Sequence, residues 1–236
     1  MSDMRDRIII ALDVPTVEEA QGLVDSLGDQ GIFYKIGYQL IPLGGLELAK
    51  RLVLAGKKVF LDFKFHDIGA TVERGTRSVA TLGCDFLTVH ADPDVLAGAI
   101  TGRGDNSRLK ILAITVLTSQ SQESLLKVGI NTPITELVLQ RTQMALDAGA
   151  DGVVASAQEA TIIRSHFGTG FDIVTPGIRP QGSALDDQKR IVTPALAVQN
   201  GASHLVIGRP IVRAPDPALA YQSILEEVEA LFANGA

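Results

Sequence analysis

The chain is 236 residues long, 46% hydrophobic and 20% charged, with 21 Lys and Arg against 27 Asp and Glu, a net charge of −6. Those proportions exclude an intrinsically disordered chain, and the acidic balance argues against a nucleic-acid partner, which usually needs a basic patch. Cys84 is the only cysteine, so neither an intrachain disulfide nor a thiolate zinc cluster is available.

The N-terminal Met-Ser-Asp-Met-Arg-Asp-Arg is charged and lacks an apolar signal core, and no apolar run approaches the ~18 residues that span a membrane. The expectation is a cytoplasmic protein with a small-molecule task and no membrane association. A first strand falls near residues 7–12 and runs into Asp13 through Ala11-Leu12. Thr16-Val17-Glu18-Glu19 then reads as a capping box, and Val17, Ala20, Val24 and Leu27 keep one apolar helical face. A second strand near 32–36 ends Tyr34-Lys35-Ile36-Gly37, and a third near 58–63 ends Leu61-Asp62-Phe63-Lys64-Phe65-His66-Asp67. Regular strand alternation puts Asp62 and Lys64 on one face, with Leu61 and Phe63 on the other.

Strands four and five are predicted near 85–90 and 109–116. Between them, Thr101-Gly102-Arg103-Gly104-Asp105 lacks the Lys-Thr or Lys-Ser of a P-loop and reads as a surface loop. The polar stretch from Ser119-Gln120-Ser121-Gln122-Glu123 onward is a candidate lid, because long loops in compact domains tend to be functional. Thr132-Pro133 opens a further helix with Pro at its first position. Strands near 152–155, 171–175 and 204–207 complete the set. Thr175-Pro176-Gly177-Ile178-Arg179 follows the seventh and Ile207-Gly208-Arg209-Pro210 the eighth. Tyr221, Ile224, Leu225, Val228, Leu231 and Phe232 recur at helical spacing in the last helix.

An internal repeat ties these elements into a fold. Gly56, Gly83, Gly149 and Gly201 each precede a short polar turn and a buried strand, and Gly31 reads as a further copy. Their separations are 25, 27, 66 and 52 residues, about one or two strand–helix units each, with the surplus in the 66-residue step. Eight alternating units predict an α/β fold, a single (β/α)8 TIM barrel covering residues 1–236. An open doubly wound sheet is disfavoured because Asp13-Val14-Pro15 stands where a Gly-x-Gly-x-x-Gly turn belongs.

In such a barrel chemistry sits at the C-terminal ends of the strands. Asp13, Lys35, Asp62 and Lys64 all lie there, and buried charges of alternating sign need one another. Arg179 and Arg209, each beside a Gly after strands seven and eight, suit a phosphate group. Of the histidines, His90, His166 and His204 read as core or rim residues, and the chemistry does not need His66.

The run Asp62-Phe63-Lys64-Phe65-His66-Asp67-Ile68 resembles the Asp-x-Lys-x-x-Asp signature of the orotidine 5′-phosphate decarboxylase family. The resemblance extends through Ala11-Leu12-Asp13, Tyr34-Lys35-Ile36-Gly37, Leu117-Thr118-Ser119, Thr175-Pro176-Gly177-Ile178-Arg179, Asp187-Gln188 and Gly208-Arg209. It implies conversion of orotidine 5′-monophosphate to uridine 5′-monophosphate and CO2 in pyrimidine synthesis, without a metal or organic cofactor. Carried onto this chain, Lys64 is the proton donor, Asp62 lies beside the departing carboxylate, and Lys35 and Asp67 complete the charged array. Asp13 and Lys35 take the ribose, and Thr118, Gln188, Gly208 and Arg209 hold base and phosphate, with Arg179 beside the phosphate. The resemblance also implies a homodimer in which Asp67, Ile68 and Thr71 reach the partner subunit's site. One departure is visible: Gly69-Ala70 replaces the Pro-Asn that often follows Asp-Ile in the family.

The main alternative is a Mg2+-dependent keto-sugar-phosphate decarboxylase or aldolase of the same superfamily. In that branch a Glu typically helps bind metal at the position of Lys35. A non-catalytic nucleotide-binding barrel is the other reading.

Overall fold

The computed structural model describes residues 3–180 and 192–233. Eight parallel strands close into a barrel in chain order: β1 (Ile8–Ala11), β2 (Phe33–Ile36), β3 (Lys58–Phe65), β4 (Phe86–His90), β5 (Lys110–Ile114), β6 (Gly152–Val154), β7 (Asp172–Thr175) and β8 (His204–Ile207). Closure is made by β8 against β1, where Ile8, Ile9 and Ile10 pair with Leu205, Val206 and Ile207. Helices α1 (Val17–Leu27), α2 (Gly45–Leu54), α3 (Gly69–Ala80), α4 (Pro93–Arg103), α5 (Gln122–Lys127), α6 (Ile134–Asp147), α7 (Ala157–Phe167), α8 (Pro194–Gln199), α9 (Arg209–Val212) and α10 (Pro217–Ala233) intervene or follow. This is the predicted (β/α)8 barrel.

Period-two alternation divides the apolar residues into two cores. Ile9, Phe33, Phe60, Phe86, Leu112 and Val174 point inward and fill the barrel. Ile8, Ile10, Leu61, Leu87, Ile111 and Ile173 point outward beneath the helices. The repeated glycines end helices in the left-handed region, with φ of 75° at Gly56 and Gly83, 85° at Gly149 and 102° at Gly201. After three of them the next amide bonds back across the helix end, Lys57 to Leu52, Ala150 to Ala145 and Ala202 to Ala197, at 2.9–3.0 Å.

Several local expectations are corrected. Gly31 is not a copy of this cap: Gly28 takes the positive φ of 51°, while a side chain at Gly31 would strike the Tyr34 hydroxyl. Thr101-Gly102-Arg103 is the last turn of α4 and not a loop; Gly102 is there because a Cβ would lie 2.3 Å from the Glu73 carbonyl of α3. Pro133 is the N-cap of α6, with ψ 143°, and not its first helical residue. The Gln122 side chain explains the shift, since it accepts from the Ile134 amide at 2.9 Å and donates to the Thr132 carbonyl at 3.2 Å. Thr16 Oγ1 accepts from the Glu19 amide at 3.1 Å, which is the cap half of the predicted box. The surplus between Gly83 and Gly149 lies where expected and is built as α5.

Candidate active site

The strand pattern that fills the barrel also delivers the charges to its mouth. Two residues beyond inward-facing Ala11, Phe33 and Phe60 come Asp13, Lys35 and Asp62, so each lands on the inner face at the C-terminal end. They open onto a cavity of about 550 Å³ that Lys64, Thr118, Arg179, Gly208 and Arg209 also line. Lys35 Nζ lies 3.0 Å from Asp13 Oδ1 and 3.5 Å from Asp62 Oδ2, and Lys64 Nζ lies 2.7 Å from that same Asp62 oxygen. The side chains of Lys35 and Asp62 are only 8% and 15% exposed. Burial pushes the Asp62 carboxyl up, but Lys35, Lys64 and the hydrogen bonds from Lys64 and Thr88 outweigh it. The net effect holds Asp62 below the usual carboxylate value.

Asp62 and Lys64 converge by a route that regular alternation does not describe. Leu61 pairs with Leu87 and Phe65 with Val89, so Asp62, Phe63 and Lys64 together oppose the single residue Thr88. This bulge turns Lys64 to φ 48°, the one positive φ at a non-glycine among the described residues. A side chain in that region is disfavoured and is held by its surroundings. Here the Lys64 amide donates to Thr88 Oγ1 at 3.0 Å. The Tyr38 hydroxyl donates to the Phe63 carbonyl at 2.7 Å, and its ring lies 5.5 Å from Lys64 Nζ.

The other wall is built from the late strands. β7 stands four strands from β3 in the closed order, so Pro176, Gly177 and Arg179 face the lysines across the barrel. Arg179 is buried and donates to the Ile178 carbonyl at 2.8 Å. Gly208 caps the short α9, which Arg209 begins. Leu117, Thr118 and Ser119, at the start of the predicted lid segment, complete the lining from the β5 side.

Asp67, Ile68 and Thr71 do not join the cavity of their own chain. They are exposed at the start of α3, where Asp67 Oδ1 accepts from the Ile68 amide at 2.6 Å. Gln188 lies outside the described residues. Of the histidines, His66 stacks on His90 with centroids 4.7 Å apart at the rim. Burial, with His66, Arg141 and Lys64 nearby, lowers the His90 pKa. Sequence reasoning misses Thr88, Tyr38, Gln39 and Arg213. The last two line the cavity; Thr88 has a signal in hindsight, as a polar residue two positions beyond inward-facing Phe86.

A protein-family model described as "Orotidine 5'-phosphate decarboxylase / HUMPS family" matches residues 6–224. A relative named orotidine 5′-phosphate decarboxylase from Rhodopseudomonas palustris is 53% identical over 226 residues, spanning 96% of this chain and 95% of its own. Another of that name, from Methylorubrum extorquens, is 51% identical over 228 residues and spans 97% of both chains. The crystal structure of orotidine 5′-phosphate decarboxylase from Lactobacillus acidophilus superposes with a TM-score of 0.82 at 38% identity, covering 94% of this chain and 98% of that one.

Proposed function

The chain belongs to the orotidine 5′-phosphate decarboxylase / HUMPS family, and from that premise we propose how its cavity works. It converts orotidine 5′-monophosphate to uridine 5′-monophosphate and CO2. Breaking the bond to the carboxyl carbon leaves an electron pair in the plane of the pyrimidine ring, with no adjacent carbonyl placed to absorb it. Fixed positive charge must therefore be present where the carbanion forms. The Lys64 ammonium supplies that charge and then donates its proton to the ring carbon, which an Arg, with its very high pKa, would do poorly. Asp62, held ionised, faces the substrate carboxylate and favours its departure by repulsion. Asp13 and Lys35 hold the ribose, and Arg179, Gly208, Arg209, Thr118 and Gln188 hold phosphate and base. Their binding energy, remote from the reacting carbon, serves to fix the ring against Lys64.

The observation that carries this reading is the Lys35–Asp62–Lys64 chain at 3.5 and 2.7 Å on the wall of the cavity. It also bears on the Mg2+-dependent alternative. Lys35 Nζ sits between the carboxylates of Asp13 and Asp62, the space a divalent ion would need. The test is the loss of orotidine 5′-monophosphate absorbance on purified protein with EDTA present. Undiminished turnover is expected; activity that EDTA abolishes and Mg2+ restores would reverse the assignment.

The same proposal makes the active form a homodimer with C2 symmetry, in which Asp67, Ile68 and Thr71 complete the site of the other subunit. What supports it is their exposure, 69% for Ile68, beside the mouth of a cavity they do not line. Mixing Lys64→Ala and Asp67→Ala chains checks it, since each mixed dimer then holds one intact site. Recovery approaching about a quarter of full activity is expected after subunit exchange; no recovery would place Asp67 in its own chain's site. A cytoplasmic location belongs to the proposal and rests on the biosynthetic step alone.

A further inference from the structure

Thr88 is fully buried on β4, directly across from the three bulged residues of β3. Its hydroxyl uses both of its hydrogen-bonding capacities on that bulge. It donates to Asp62 Oδ1 at 2.9 Å and accepts from the Lys64 amide at 3.0 Å. The division of labour on Asp62 follows: one carboxylate oxygen is tied to Thr88, which leaves the other facing Lys64 at 2.7 Å and Lys35 at 3.5 Å. Thr115, the buried threonine of the neighbouring β5 end, behaves differently. Its hydroxyl donates to the Val154 backbone carbonyl at 2.9 Å, where that of Thr88 donates to a carboxylate.

We infer that Thr88 is a positioning residue for the decarboxylation, its hydroxyl clamping both ends of the β3 bulge so that the Lys64 ammonium and the Asp62 carboxylate keep one fixed arrangement. The inference rests on the decarboxylase reading above. A carboxylate without the Thr88 bond turns about its own axis and shares its oxygens differently between two lysines. A Lys64 amide without an acceptor loses its hold on a backbone conformation the chain does not favour by itself. Both changes displace the ammonium from the reacting carbon, and small displacements of a catalytic group are costly in rate.

The experiment compares Thr88→Val, Thr88→Ala and Thr88→Ser with the parent enzyme on orotidine 5′-monophosphate. Valine keeps the shape and loses the hydroxyl, alanine loses hydroxyl and methyl, and serine keeps only the hydroxyl. For Val and Ala, kcat is expected to fall about 10- to 100-fold, the worth of a hydrogen bond to a charged group. KM should stay within about threefold because the ribose and phosphate contacts lie elsewhere, and Ser should restore most of kcat. The acid limb of the kcat profile should move to higher pH in the Val and Ala variants, because the ionised Asp62 loses a donor. Val and Ala retaining parental kcat overturns the inference. So does Ser losing as much as Ala, which would make the methyl packing the cause; that comparison stands even if the Val variant does not fold. A parent enzyme with no turnover at all would instead sink the decarboxylase reading, and the Thr88 inference with it.

Discussion

At the N-terminal ends of the strands Lys110 Nζ lies 2.7 Å from Asp172; at the C-terminal ends Lys64 Nζ lies 2.7 Å from Asp62. Both ends of the barrel carry lysine–aspartate pairs, yet the surroundings differ. Below, Lys110 and Lys58 pair with Asp172 and Asp6, and their side chains remain 43% and 42% exposed. His204 leans toward Asp172 at 3.8 Å and packs edge-on against Phe33 and Phe86, the aromatic floor of the inner core. Above, one carboxylate serves two ammonium groups, the bulge departs from strand geometry, and a cavity opens on the result. Charge at a strand end is therefore weak evidence of chemistry. Shared charge beside empty volume and disfavoured backbone is stronger evidence.

Substitutions that act on one end alone give the contrast its sharpest tests. Lys64→Ala is expected to reduce kcat by at least roughly 10⁴-fold, losing both charge stabilisation and proton donation, while uridine 5′-monophosphate binding stays measurable by calorimetry. Near-normal turnover would erase the distinction between the two ends. Arg209→Ala should lower kcat/KM by about 100-fold, through lost charge-assisted bonds to phosphate. The same change should matter little for the unphosphorylated nucleoside; a defect confined to the nucleoside would remove the phosphate role.

The lower end answers to acid. Burial drives the His204 pKa down to about 4, against the pull of Asp172 and with Lys110, Arg7 and Lys58 adding to the fall. The unfolded chain, with an ordinary imidazole near 6.5, takes up the proton first as the solution is acidified. Stability is thus expected to decline as pH falls from about 6.5 to 4, by about 3 kcal/mol at most. Chemical denaturation across that window should show the slope in the parent and a flatter one in His204→Gln, with kcat at neutral pH unchanged in both. The smallest effect concerns the bulge. With the ammonium removed in either case, Lys64→Gly should be more stable than Lys64→Ala by about 1 kcal/mol, because only glycine takes φ 48° without steric cost. In a regular strand the order is the reverse.

The architecture was legible because its signals are local: a glycine stopping each helix, then a short apolar strand. All eight strands fall within a residue or two of their predicted places. The bulge was hidden, since Asp62-Phe63-Lys64-Phe65 alternates like any strand and its register depends on which residue of β4 stands opposite. The helix pair α3 and α4 was hidden for the same reason. A Cβ at Gly98 would lie 2.3 Å from the Gly69 carbonyl, and one at Gly69 would lie 2.8 Å from that of Asp94. That close crossing leaves little room for a side chain at Gly69, but it is visible only once both helices are in place. Among the site residues, Asp13, Lys35, Asp62, Lys64, Thr118, Arg179, Gly208 and Arg209 all line the cavity. Thr88 escaped notice because a threonine in a strand ordinarily signals nothing more than strand.

The buried thiol has a practical corollary. Cys84 is 1% exposed, and its burial pushes the pKa to about 12, with Asp85 adding to the rise and Arg108 opposing it. At neutral pH it is a protonated, inaccessible sulfur that alkylating reagents attack slowly. With no other cysteine in the chain, a thiol introduced by Ile68→Cys becomes the one reactive handle on the molecule. The rate at which a small alkylating reagent attacks it reports whether a second copy covers this position, as the proposed dimer requires. Leu54→Cys, on a residue 87% exposed at the end of α2, provides the matching reference, so the parent background needs no prior cysteine removal.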